Sequence, residues 1–109
     1  MLHFTKIRLS DAVVTDIRMA SSVVEIDYID WQDQKHTLAF QNTIACCTFS
    51  PHGRTLSHGE VAEPTDDLQA LRAIAEEDGI EKFSVSSLVD AWSNTKVVRV
   101  VAEFVTKVE

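Results

Sequence analysis

Residues 23–40, "VVEIDYIDWQDQKHTLAF", constrain the fold more than any other stretch of this chain. Val24, Ile26 and Tyr28 share one face, while Glu25 and Asp27 take the other. Successive side chains of a strand leave opposite faces, so this period of two predicts a half-buried strand. The polar "DWQDQK" is rich in turn formers, and Leu38 and Phe40 then resume the alternation. That is the pattern of a β-hairpin.

Other segments read the same way. "AVVTDIRM" sets Val13, Thr15 and Ile17 on one side, and "NTIACCTF" ends at the turn cluster Ser50-Pro51-His52-Gly53. "KFSVSSLV" alternates at Phe83 and Val85, and "DAWSNTK" is a turn that contains a tryptophan. The strongest strand is "VVRVVAEFVTKVE", with Val98, Val100, Ala102 and Phe104 on one face. Its other face mixes Val97, Arg99, Val101, Glu103 and Val105. Being only half polar, that face is expected to meet another strand layer, a helix or a second subunit.

The period changes once, after Pro64. Thr65 suits a helix N-cap, and Asp66 and Asp67 fall where the helix dipole favours negative charge. Leu68, Leu71, Ile74 and Ala75 recur at helical spacing, and Gly79 suits the C-terminal cap. One amphipathic helix is predicted over 66–77. The expected fold is therefore α+β: a mostly antiparallel sheet of about five to six strands, curled or sandwich-like, packed with that helix.

A length of 109 residues fits a single domain over 1–109, large enough for a core without disulfides or metals. The N-terminal stretch carries Lys6, Arg8 and Asp11 and lacks the apolar block of a signal peptide. With no apolar run long enough to span a bilayer and only two cysteines, a reducing cytoplasm is expected. The formal charge of −7 argues against nucleic acid and against anionic membrane surfaces as direct ligands.

The densest cluster of reactive side chains, "IACCTFSPHGRTLSHG", does not make a site. Zinc would need Cys46, Cys47, His52 and His58 to converge, but adjacent strand residues point to opposite faces. A disulfide between neighbouring cysteines would be strained, and only Arg54 lies nearby to lower a thiol pKa. The run is expected to be a strand followed by a loop. Asp27, Asp30 and Asp33 do not form an EF-hand, whose sixth and twelfth positions would fall on Gln32 and Leu38. "SHGE" at 57–60 is too short to specify a triad, and Gly53, Gly59 and Gly79 are too scattered for a phosphate loop. No catalytic residue, metal or cofactor is expected.

Charge is more informative. Glu60, Glu63, Asp66, Asp67, Glu76, Glu77, Asp78 and Glu81 face one base, Arg72, so the segment 60–81 sums to −7, the whole net charge. A solvated helix face accounts for this, and so does a negative surface that steers a basic partner. Of Trp31 and Trp92, the latter is the better candidate for an exposed binding residue.

"IDWQDQKHTLAF" and the later "AWSNTKVVRVVAEFV" resemble the layout of small bacterial α+β proteins of the immunity type. Such proteins have an acidic-aromatic hairpin, one helix and a closing strand. The resemblance covers residues 26–40 and 91–105 and implies a binding role, with no catalytic residues. The sequence thus leads to a non-enzymatic bacterial protein-binding domain, an immunity-type inhibitor that occludes a basic partner through the acids of 60–81 and Trp92. The alternative is a small-molecule-binding or enzymatic domain with a pocket between sheet and helix, near His52, His58 and one cysteine. A homodimer through the C-terminal strand is a third reading.

Overall fold

The computed structural model describes residues 4–62 and 83–108. They form a short 3-10 turn at Phe4–Lys6 and eight strands. The strands are β1 (Val13–Ala20), β2 (Val23–Ile29), β3 (Lys35–Gln41), β4 (Ala45–Thr48), β5 (Leu56–Ala62), β6 (Ser84–Asp90), β7 (Lys96–Ala102) and β8 (Phe104–Val108). Two antiparallel four-stranded sheets result, ordered β1-β2-β3-β8 and β4-β7-β6-β5.

The α+β expectation of five to six strands is corrected. There is no α-helix among the described residues, and the helix expected over 66–77 lies outside them. The count rises to eight for two reasons. The first is β5, where "LSHGEVA" has no apolar alternation yet pairs with β6 from Leu56↔Asp90 to Ala62↔Val85. A Cβ on Gly59 would lie 2.5 Å from the Phe4 ring, so the ring packs directly on the strand backbone there.

The second is a bend that divides the C-terminal run. β3 and β8 pair from Thr37↔Val108 to Gln41↔Phe104, and β4 and β7 continue that ladder from Ala45↔Val101 to Thr48↔Val98. Between them residues 42–44 oppose 102–103, a bulge of one residue that carries both strands from one sheet into the other. Asn42 adopts a left-handed φ of 54°, and its side-chain amide donates to Glu103 Oε2 at 2.7 Å. The bend also changes which side chains face inward. Val105 is buried with Val98, Val100 and Ala102, whereas Phe104 is 39% exposed, the reverse of an unbroken strand.

The sheets meet again at their other edges. Leu56 N–H donates to Ala12 O (2.7 Å), Asp11 N–H to Leu56 O (3.0 Å), and Gly53 N–H to Val14 O (2.8 Å). Thus β1 and the start of β5 close the circuit, giving a curled, barrel-like sandwich. Val24, Ile26, Tyr28, Leu38 and Phe40 of the first sheet pack inside against Leu88, Val98 and Val100 of the second. Phe4 fills one side, its ring 5.7 Å from that of Phe40.

The second sheet is buried on both faces: Phe83, Val85 and Val101 form a separate cluster with Ile44, Ala45 and Ala62. The half-apolar face of the terminal strand accordingly holds buried Val101. β7 is paired on both sides, by β4 and β6, whereas among the described residues β8 is paired by β3 alone.

Candidate functional site

Asp90 ends β6 with its carboxylate buried. Its Oδ2 accepts the backbone N–H groups of Trp92 (3.1 Å) and Ser93 (2.7 Å) and the Ser93 hydroxyl (2.8 Å). An aspartate folding back onto the next backbone donors is the local chemistry of a tight turn. Asn94 N–H donates to Asp90 O (3.1 Å), Asp90 N–H to Thr95 O (2.8 Å), and Ala91 N–H to Thr55 O (2.9 Å). Oδ1 has no hydrogen bond among the described residues, and the Arg54 guanidinium stands 3.7 Å away. The Ser93 N–H, the Ser93 hydroxyl, the Trp92 N–H and the Arg54 charge hold the Asp90 carboxyl below the usual carboxylate range.

This tightly bonded tip carries Trp92, 88% exposed. Phe49, 61% exposed, adjoins the same end of the sheet, its N–H donating to Val97 O at 2.8 Å. Two large aromatics are thus displayed on backbone that is already ordered.

The β2–β3 tip is built alike. Asp30 Oδ1 accepts the N–H groups of Gln32 (2.8 Å) and Gln34 (2.9 Å), and Oδ2 lies 2.7 Å from His36 Nε2. The Gln34 N–H, the His36 ring and the Gln32 N–H hold Asp30 below the usual carboxylate range. Tyr28 stacks on His36 with ring centres 5.1 Å apart, and burial pushes its phenol up. Trp31 lies under the Arg8 guanidinium, 4.5 Å from the ring centre.

Of the acids expected to form the partner surface, Glu60 is described; Glu63, Asp66, Asp67, Glu76, Glu77, Asp78 and Glu81 lie outside the described residues. Glu60 projects from β5, with Oε1 2.9 Å from His58 Nε2 and Oε2 3.9 Å from Lys96 Nζ.

The cysteine–histidine run is dispersed. Cys46 packs against the core, and burial, with Cys47 adding to it, pushes its thiol up and keeps it protonated. Cys47 is exposed, His52 pairs with Asp16 at 3.7 Å, and both thiols are free. Among the described residues no group of three His, Cys, Asp or Glu is placed to hold a metal ion.

Within "SHGE" a chain of contacts does form, a feature the spacing alone did not predict: Ser57 Oγ is 2.8 Å from His58 Nδ1, and His58 Nε2 reaches Glu60. The β-bulge between Leu56 and His58 brings these neighbours together. The His58 and Glu60 side chains are each 46% exposed, so water competes for every bond in the chain. Nucleophilic catalysis needs a sheltered site with donors aimed at the developing charge. A surface chain of this kind is a strand-edge polar network.

Arg18 on β1 forks onto Asp27 of β2, and Thr37 of β3 donates to the same carboxylate at 2.6 Å. The Arg18 bond and then the Thr37 hydroxyl lower the Asp27 pKa, and the network stitches the outer face of the first sheet.

No family model, no curated protein and no solved structure matches this chain. No helix among the described residues is long and apolar enough to cross a membrane.

Proposed function

We propose that the protein is a non-enzymatic, protein-binding domain of the bacterial cytoplasm, an immunity-type inhibitor that acts by occluding a basic partner. The observation that carries this reading is Trp92: a fully displayed indole on a turn that its own backbone and Asp90 already order. Binding costs free energy when flexible groups must be fixed, so a pre-ordered aromatic converts its burial into affinity efficiently. Tryptophan is also enriched among the few residues that dominate interface energetics. The acids of 60–81, with Glu60 at their start, attract a basic partner over distance and set its association rate. The residues that touch the partner are then Trp92 and Phe49, exposed at the same end of the second sheet.

Affinity capture from the native cell lysate tests this, run in parallel with the Trp92→Ala variant at low and high salt. A basic protein held at low salt by the wild type, released at high salt and not held by the variant is the expected result. Capture that is indifferent to both salt and Trp92 overturns the reading.

A further inference from the structure

The mouth between the N-terminal segment and the β2–β3 tip is a cleft of about 280 Å³. Lys6, Arg8 and Lys107 line it, with His36, Tyr28 and Trp31. In a chain of net charge −7 this gathers three of the ten Lys and Arg side chains around one opening. Among the described residues none of the three has a carboxylate partner. The one acid among the described residues that line the cleft, Asp30, is already committed to Gln32, Gln34 and His36. Unpaired cations that converge on one cleft leave a field suited to an anion.

Two further features narrow the ligand. The Arg8 guanidinium sits over the Trp31 ring, 4.5 Å from its centre, and makes no ion pair among the described residues, so its N–H groups can fork onto a carboxylate or phosphate. Its lining is largely aromatic: Trp31 and the stacked Tyr28–His36 pair. The volume lies near the lower end for ligand pockets, about 300 Å³. It admits one ring and one anionic group.

We propose that this cleft binds a small organic anion with a single flat ring, its phosphate or carboxylate held by Arg8, Lys6 and Lys107. The site is separate from Trp92 and stands or falls independently of the partner-binding reading.

The test uses the full chain carrying Trp92→Phe, which leaves Trp31 as the single indole. Phenyl phosphate, benzoate and inorganic phosphate are titrated while the Trp31 indole N–H resonance is followed by NMR. Phenyl phosphate or benzoate should shift that resonance saturably, with Kd on the order of 0.1–1 mM. Whichever of the two binds more tightly identifies the anionic group. Inorganic phosphate should bind more weakly than the better aryl anion, because it gains nothing from the aromatic walls. Arg8→Ala and Lys107→Ala should each weaken binding by about tenfold, with Arg8→Lys in between. Both side chains are exposed, so folding is retained, and far-UV circular dichroism checks it. No saturable shift with either aryl anion up to about 10 mM, affinity unchanged in both alanine variants, or inorganic phosphate binding as tightly as the aryl anions would overturn the proposal.

Discussion

The two hairpin tips, at β2–β3 and β6–β7, are the same device with different surroundings. Each begins with an aspartate whose carboxylate gathers the following backbone N–H groups, and each carries a tryptophan. Trp31 is capped by Arg8 and half-covered, at 51% exposed, while Trp92 is bare at 88%. Turn chemistry therefore orders the backbone, and what the neighbouring segment offers decides the fate of the indole. A cation supplied by the N-terminal segment turns one tip into the wall of a cleft. Nothing described covers the other, whose indole is left in solvent.

Core substitutions beneath the tips show whether the two belong to one cooperative unit. Leu38 of β3 and Leu88 of β6 are fully buried below the first and second tips, respectively. Leu38→Ala and Leu88→Ala should each cost about 2–5 kcal/mol. In urea titrations of single-tryptophan variants, both indoles should report the same lowered midpoint. A substitution that shifts one tip alone would break the comparison by showing two independent halves.

Next in size is the close approach at Gly59. Adding a methyl group there meets the Phe4 ring, so Gly59→Ala should cost about 1–3 kcal/mol. Thermal melts check this, and restoration by Phe4→Leu in the same chain would confirm the contact.

The acid limb of stability distinguishes the tips chemically. Asp30 and Asp90 have depressed native pKa values, so their contribution is complete above the unfolded value of about 4. It is lost as pH falls through that value towards the lower native ones, where the unfolded chain binds more protons. Urea midpoints measured between neutral pH and the onset of acid unfolding should decline, and Asp30→Asn and Asp90→Asn should each flatten the decline. The buried Asp90 should have the larger influence.

The indoles themselves should matter least to stability. Trp92→Ala should change stability by less than about 0.5 kcal/mol, since its side chain is almost wholly in solvent. Trp31→Ala should cost about 0.5–1 kcal/mol through the lost cation–π contact. Equal costs would erase the distinction between the tips.

Much of the first sheet was legible because its alternation is local. Val24, Ile26, Tyr28, Leu38 and Phe40 all face the core as their period of two requires. The Asp90 turn and the exposure of Trp92 could likewise be anticipated from "DAWSNTK". β5 was hidden because Ser57, His58, Gly59 and Glu60 carry no apolar rhythm, and only pairing with β6 and the Phe4 ring make them a strand. The reversal at Phe104 and Val105 was hidden for a related reason. A bulge opposite Glu103 is a property of two strands together, and one strand's alternation cannot show it. The cleft left no local signal at all, since Arg8 and Trp31 meet only once the N-terminal segment folds across the hairpin.

Trp92 is the proposed anchor for a partner. The most direct measurement is fluorescence of Trp92 in a Trp31→Phe chain, with the captured basic protein labelled so that its own tryptophans are silent. A blue shift and loss of acrylamide quenching on mixing, reversed at high salt, is the predicted result. An indole that stays red-shifted and fully quenchable in a saturated complex would contradict it.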